Sequence, residues 1–157
     1  MIMRIVLQRV KRARVLVRGQ ERAGIGTGVM LLAGFSGEAT RALPDSAEWR
    51  KIVGKIPELR IFPDQEGRSN LSLRDVDGEI LVVPQFTLFA DCRKGRRPSF
   101  AGSAEPDTAK ALFGELVREL EEMCPGRTAQ GIFGEEMDVD FVNWGPVTIC
   151  LDRRDFV

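Results

Sequence analysis

Ile80, Leu81, Val82 and Val83 form an unbroken apolar run between Gly78 and Pro84. A run so short, largely β-branched and bounded by turn residues, reads as a buried strand. A strand without a polar face belongs in the interior, so the rest of the chain has to be arranged around it. The run then changes character. Gln85 and Thr87 are polar residues among apolar neighbours; on a continuing strand they share one face while Phe86 and Leu88 share the other. Two polar side chains at the end of an apolar strand are costly to bury unless something pairs with them. Either they bond to neighbouring backbone or they wall a pocket with donors aimed at a ligand. Far down the chain, Asn143-Trp144-Gly145-Pro146-Val147-Thr148 has the same mixture, which favours the pocket.

The 157 residues suit one domain, spanning 1–157, with a single substantial core. At 43% hydrophobic and 29% charged, the composition is that of an ordinary soluble chain. No run approaches the roughly 18–20 apolar residues of a membrane span. The opening residues alternate charge into apolar positions and lack the apolar region of a signal peptide, so a cytoplasmic protein without membrane partners is expected. Cys92, Cys124 and Cys150 are odd in number and widely spaced, suggesting three reduced thiols and neither a zinc site nor a disulfide framework. No metal or cofactor is expected.

The chain contains no histidine. The commonest general base is therefore missing, and a Ser-His-Asp or Cys-His mechanism cannot operate within the chain. Hydrolysis here has to rely on carboxylates, oriented backbone donors or a group on the substrate. Basic and acidic residues balance at 23 each, so there is no global electrostatic case for nucleic acid. Two basic clusters stand out locally: Arg93-Lys94-Gly95-Arg96-Arg97, directly after the Gln85/Thr87 segment, and Arg9, Lys11, Arg12, Arg14 and Arg18 in the first strands. Such runs are ordinarily solvated faces.

Taken in order, residues 3–10 and 13–18 read as strands, 19–22 as a turn, and Ile25 and then 29–35 as further strands of an antiparallel meander. Gly24-x-Gly26-x-Gly28 lacks the helix and Lys-Ser/Thr of a phosphate loop. A helix opens near Pro44, with Asp45 or Ser46 as cap and Trp49, Ile52, Val53 and Ile56 on its apolar face; Pro57 ends it. Residues 59–62 form a short strand. The strongest helix spans 105–123, with a buried stripe through Ala109, Leu112, Phe113, Leu116, Val117 and Leu120. Three β segments follow, at 128–133, 137–143 and 147–151. This order implies an α+β fold: a curved, mainly antiparallel sheet or barrel with two packed helices.

Five segments, in register over nearly the whole chain, together resemble the D-aminoacyl-tRNA deacylase family. They are Gln8-Arg9-Val10, Arg60-Ile61-Phe62-x-Asp64-x-x-Gly67-x-x-Asn70-Leu71, Gln85-Phe86-Thr87-Leu88, Lys94-Gly95-x-Arg97-Pro98-Ser99-Phe100, and Asn143-x-Gly145-Pro146-Val147-Thr148. The resemblance implies a symmetric homodimer that cleaves the ester between a D-amino acid, or glycine, and the 3′-terminal adenosine of tRNA. It implies that Gly145-Pro146, in cis, reaches into the partner's pocket and excludes L-amino acids by shape, with Arg9 and Asn143 supporting the motif. X-Pro is the linkage where cis costs least, about 0.5–1 kcal/mol, although a lone Gly-Pro is ordinarily just a tight turn.

The same resemblance implies substrate-assisted hydrolysis, in which a ribose 2′-hydroxyl helps activate water. The catalytic share of Gln85, Phe86 and Thr87 is then positioning and oxyanion stabilisation by backbone N–H groups. Thr87 has no histidine to activate it and is read as a positioning residue. Arg93, Lys94, Arg96 and Arg97 are expected to meet acceptor-stem phosphates. One position departs from the family pattern: Pro84 stands where serine is usual, which removes a hydroxyl and a backbone donor. Two alternatives stay open, a relaxed-chirality deacylase with a trans Gly-Pro bond and a tRNA-binding module without catalysis.

Overall fold

The long first strand, β1 (Met3–Val17), carries three others. In the computed structural model, which describes residues 2–156, one edge of β1 pairs antiparallel with β3 (Gly28–Phe35) over its first half and with β2 (Gln20–Ile25) over its second. The opposite edge pairs antiparallel with β8 (Asp138–Asp152). On the far side of β3 lies β6 (Glu79–Pro84), followed by β7 (Thr128–Gln130), both joined in parallel. A two-stranded ribbon, β4 (Phe62–Pro63) and β5 (Ser69–Leu71), stands apart. The sheet is thus antiparallel around β1 and parallel around β6. The apolar run Ile80–Val83 lies fully buried between β3 and β7, where a strand without a polar face can be accommodated.

Two expected strands, 3–10 and 13–18, are one. The strand bends instead of ending: Met3, Ile5 and Leu7 pack in one cluster, while Val10, Ala13 and Val15 pack in another. The change of face falls where the pairing with β8 slips register on both sides of Val10. The first turn is tighter than expected, since Arg18 and Gly19 both have positive φ and β2 begins at Gln20. The last two expected β segments are likewise a single strand, β8. The expected strand at 59–62 shrinks to Phe62–Pro63, and that at 128–133 to Thr128–Gln130.

The helices follow the sequence closely. In α1 (Ala47–Lys55), the Ser46 hydroxyl accepts from the Trp49 N–H at 3.1 Å, satisfying a donor the helix itself cannot use. Pro57 cannot extend the helical ladder, and the chain tightens into a 3-10 turn over Ile56–Glu58. In α2 (Pro106–Met123), Ala109, Leu112, Phe113, Leu116 and Leu120 are buried against the sheet. The Trp49 indole N–H donates to Glu119 at 2.9 Å and ties the two helices together. The larger core lies between sheet and helices. The smaller fills the curl of the sheet, with Met137 and Val139 packed against the cluster that holds Leu81 and Val83. Among the described residues, no helix is long and apolar enough to cross a membrane.

Candidate active site

A cavity of about 650 Å³ opens where β6 ends. Its walls come from the end of β3, the segment Val83–Phe86, Phe100 and its neighbours, the first turns of α2, and the turn around Phe133. The lining is predominantly apolar, with Gln85, Ser103, Glu105 and Glu135 as its polar and charged side chains. Gly34 is needed here: a Cβ at that position would stand 2.5 Å from the Gln85 carbonyl oxygen, so only glycine lets β3 approach the segment after Pro84.

That segment is not a continuing strand. β6 stops at Pro84, and Phe86–Phe89 coil into a 3-10 turn. Gln85 and Thr87 are still neighbours, but through direct contact: the Gln85 side-chain amide donates to the Thr87 hydroxyl. Gln85 and Phe86 line the cavity; Thr87 stands behind them and is not part of the lining. The turn leaves backbone donors over. Gln85 N–H bonds to Ala33, Leu88 N–H to Gln85 and Ala90 N–H to Thr87, whereas the N–H groups of Phe86 and Thr87 have no acceptor among the described residues. Free donors at the start of such a turn can serve an incoming oxygen.

The structure explains how Pro84 is tolerated. Ile80 N–H and the Val82 carbonyl bond toward β7, so an N–H at position 84 would point the same way. The ladder to β7 has ended there with Gly131 N–H on Val82, and the proline ring packs alongside Gly131. The missing donor interrupts no sheet bond.

Gly145 and Pro146 occupy a second place. Between Asn143, which pairs with Val10, and Thr148, which pairs with Gln8, β8 carries Trp144 to Val147 opposite Arg9 alone. The surplus residues bulge outward, and Gly145 and Pro146 are exposed. The Gly145–Pro146 peptide is cis, and Gly145 has φ +132°, a conformation that favours glycine. Arg9 lies beneath, only 8% exposed. Its Nε donates to the Trp144 carbonyl at 2.8 Å, its Nη1 donates to the Ile61 carbonyl, and its guanidinium stacks 4.5 Å from the Trp144 ring centre. Asn143 closes the bulge from both ends: its Oδ1 accepts from Val147 N–H at 3.0 Å and its Nδ2 donates to the Thr148 hydroxyl at 2.9 Å. Arg9, Asn143, Gly145 and Pro146 are therefore one cluster, and none of them lines the cavity.

The two basic clusters fare differently. On β1, Arg12 and Arg14 both pair with Asp140, at 3.2 and 2.9 Å, and hold its carboxyl below the usual range. In the loop after the cavity, Arg93, Lys94, Arg96 and Arg97 are all exposed. Arg93 is paired with Asp91; Lys94, Arg96 and Arg97 have no ion-pair partner among the described residues. The loop returns to the cavity through Phe100, whose ring meets Phe86 edge-on at 5.2 Å. These two are the most exposed large apolar side chains of the described residues, at 41% and 55%.

Sequence reasoning did not find Phe133, Phe113 or Met137 as lining residues, because the sheet's curl and α2 bring them in from distant parts of the chain. Phe100 carried a usable signal, following a basic loop directly in sequence.

Known proteins resemble this chain from end to end. A D-aminoacyl-tRNA deacylase of Nitratidesulfovibrio vulgaris strain DP4 is 53% identical over 153 residues, covering 98% of this chain and 94% of that protein. One from Solidesulfovibrio magneticus is 48% identical, covering 98% and 97%. Among solved structures, one described as c-Myc DNA Unwinding Element Binding Protein superimposes with a TM-score of 0.84 at 36% identity, covering 95% of this chain and 97% of that one. The class so defined is that of hydrolases acting on aminoacyl-tRNA. Within it, the chain belongs to the D-Tyr-tRNA(Tyr) deacylase family, whose model matches residues 6–152.

Proposed function

We propose that the protein hydrolyses the ester linking a D-amino acid, or glycine, to the 3′-terminal adenosine of tRNA. One observation carries the reading: among the described residues, no acceptor meets the N–H of Phe86, at the wall of an apolar cavity large enough for a nucleoside and its amino acid, or that of Thr87, the next residue in the same turn. Water, activated with the help of the ribose 2′-hydroxyl, adds to the ester carbonyl. The oxyanion that forms is received by the Phe86 N–H at the wall, with the Thr87 N–H adjoining it in the same turn. The carbon–oxygen bond to the ribose 3′-oxygen then breaks, the oxygen takes up a proton, and tRNA and amino acid leave. Gln85 and Thr87 hold the segment in place.

In this reading the chiral filter is Gly145-Pro146 of a second copy. The exposure of both residues, and the anchoring of their bulge by Arg9 and Asn143, support it. The active form is then a homodimer acting in the cytoplasm, and the basic loop meets acceptor-stem phosphates without reading bases.

The test is release of D-tyrosine from D-tyrosyl-tRNA by purified protein without added metal, with L-tyrosyl-tRNA as control. Rapid release from the D form with the L form intact is expected. A D ester that survives as long as it does without protein overturns the proposal, and hydrolysis of both forms at similar rates overturns the filter. Sedimentation at assay concentration is expected to give a dimer; a fully active monomer overturns the shared site.

A further inference from the structure

We infer that Asp91 is a positioning residue of the basic loop, and that it divides the loop's cations: Arg93 is held as a structural strut, and Lys94, Arg96 and Arg97 are left to meet phosphate. The inference rests on the proposed action on tRNA and specifies how that substrate is held.

Asp91 closes the loop at its base through its backbone. Its N–H donates to the Ser99 carbonyl at 2.8 Å, and its carbonyl accepts from Ser99 N–H at 2.9 Å. The side chain then fixes the rising arm. Oδ1 accepts from the Arg93 backbone N–H at 3.0 Å and from Arg93 Nε at 2.9 Å, while Oδ2 accepts from Nη2 at 2.7 Å. This is a two-pronged guanidinium–carboxylate pair with a third bond from the main chain, a geometry more specific than a simple surface ion pair. Gly95, with φ +67°, turns the chain between Lys94 and Arg96. Beyond Ser99, Phe100 lies edge-on to Phe86 at the cavity rim, and the Ser103 hydroxyl donates to the Phe86 carbonyl at 3.1 Å. The loop is thus anchored to the cavity's own wall.

The consequences are electrostatic and entropic. Arg93 and Asp91 cancel, so the charge offered to a polyanion comes from the three cations without ion-pair partners among the described residues. A loop already ordered spends less of its binding energy on becoming ordered. The bonds to Asp91 serve that order, and Asp91 itself does not touch substrate.

Asp91→Asn separates this role from that of a mere counter-charge, because the variant gains one positive charge. A counter-charge role predicts tighter tRNA binding. Positioning predicts the opposite: uncharged tRNA binds about fivefold more weakly despite the added charge, the cost of re-ordering a long side chain at the interface. KM for D-tyrosyl-tRNA rises by a similar factor while kcat stays within about twofold, as expected when uniform binding is lost. Asp91→Glu recovers part of the loss, and circular dichroism melting of each variant checks the fold. Arg96→Gln and Arg97→Gln each flatten the dependence of log K on log salt by about 0.9. An Asp91→Asn protein that is folded and binds tRNA as tightly as wild type, or more so, overturns the inference. Wild type that binds tRNA with salt dependence but leaves the ester intact overturns the proposed activity and keeps the loop comparison readable. Wild type that does not bind tRNA overturns both.

Discussion

Arg9 on β1 holds the main chain of Trp144 on β8: Nε meets the Trp144 carbonyl at 2.8 Å and the guanidinium lies over the indole at 4.5 Å. A third contact, to Ile61, fixes the arginine from the other side. A buried fork with both arms occupied is a rigid support, and the exposed Gly145-Pro146 tip rides on it. Arg9→Leu removes two charge-assisted bonds and strands two carbonyls, a loss of about 2–4 kcal/mol. Arg9→Lys keeps the charge but not the fork. The lysine variant is expected to fold, to retain hydrolysis of D-tyrosyl-tRNA, and to cleave L-tyrosyl-tRNA measurably. Unchanged D/L selectivity in a folded Arg9→Lys protein would mean that Arg9 does not tune the filter.

Thr87 accepts a hydrogen bond from Gln85 and lies outside the cavity lining. Thr87→Val keeps the shape and removes the acceptor, which should cost about 1 kcal/mol of stability and slow the reaction about tenfold by loosening Gln85. A nucleophilic threonine would behave otherwise: valine would abolish turnover, serine would preserve it, and rapid quenching would trap an acyl-enzyme. Mass spectrometry of the quenched reaction is expected to show unmodified protein.

The Asp91 clamp has a pH signature. Hydrogen bonds from the Arg93 side chain, then from its backbone N–H, lower the Asp91 pKa from the ordinary 3.8 to about 2. A depressed carboxylate pKa favours the clamped form above 3.8, and this contribution is lost as pH falls through about 2. At pH 3 the wild-type loop is therefore still clamped. Carboxyl-carbon NMR should place the Asp91 midpoint near 2 in wild type and shift it up toward 3.8 in Arg93→Gln. A wild-type midpoint at the ordinary value would show that the pair does not persist in solution.

Ser46 caps α1 in the helical layer, away from the cavity. Ser46→Ala should lower stability by about 1 kcal/mol, read as a shift of the urea midpoint at constant slope. Deacylation well below the melting temperature should not change. A loss of activity matching the loss of stability would indicate that α1 supports the site more directly than its position suggests.

Much of this was legible in the residues. Trp49, Ile52 and Val53, and the stripe from Ala109 to Leu120, announced two amphipathic helices because a helix must bury one face at its own period. Ile80–Val83 announced an interior strand, since no other position suits a run without polar residues. The lack of histidine restricted the chemistry before any geometry was known.

Most of what the sequence left open depends on pairings between distant residues. The bend in β1 comes from its register with β8, a partner more than a hundred residues away, so 3–17 looked like two strands. Local alternation likewise placed Gln85 and Thr87 on one strand face; the chain coils there instead, because the sheet ends at Pro84 and Gly34 lets the next turn close over β3. Arg93, Lys94, Arg96 and Arg97 form one basic run on paper. The structure shows which of them Asp91 holds, its near neighbour Arg93, and leaves Lys94, Arg96 and Arg97 without an ion-pair partner among the described residues, because the loop closed between Asp91 and Ser99 decides which side chain reaches the carboxylate.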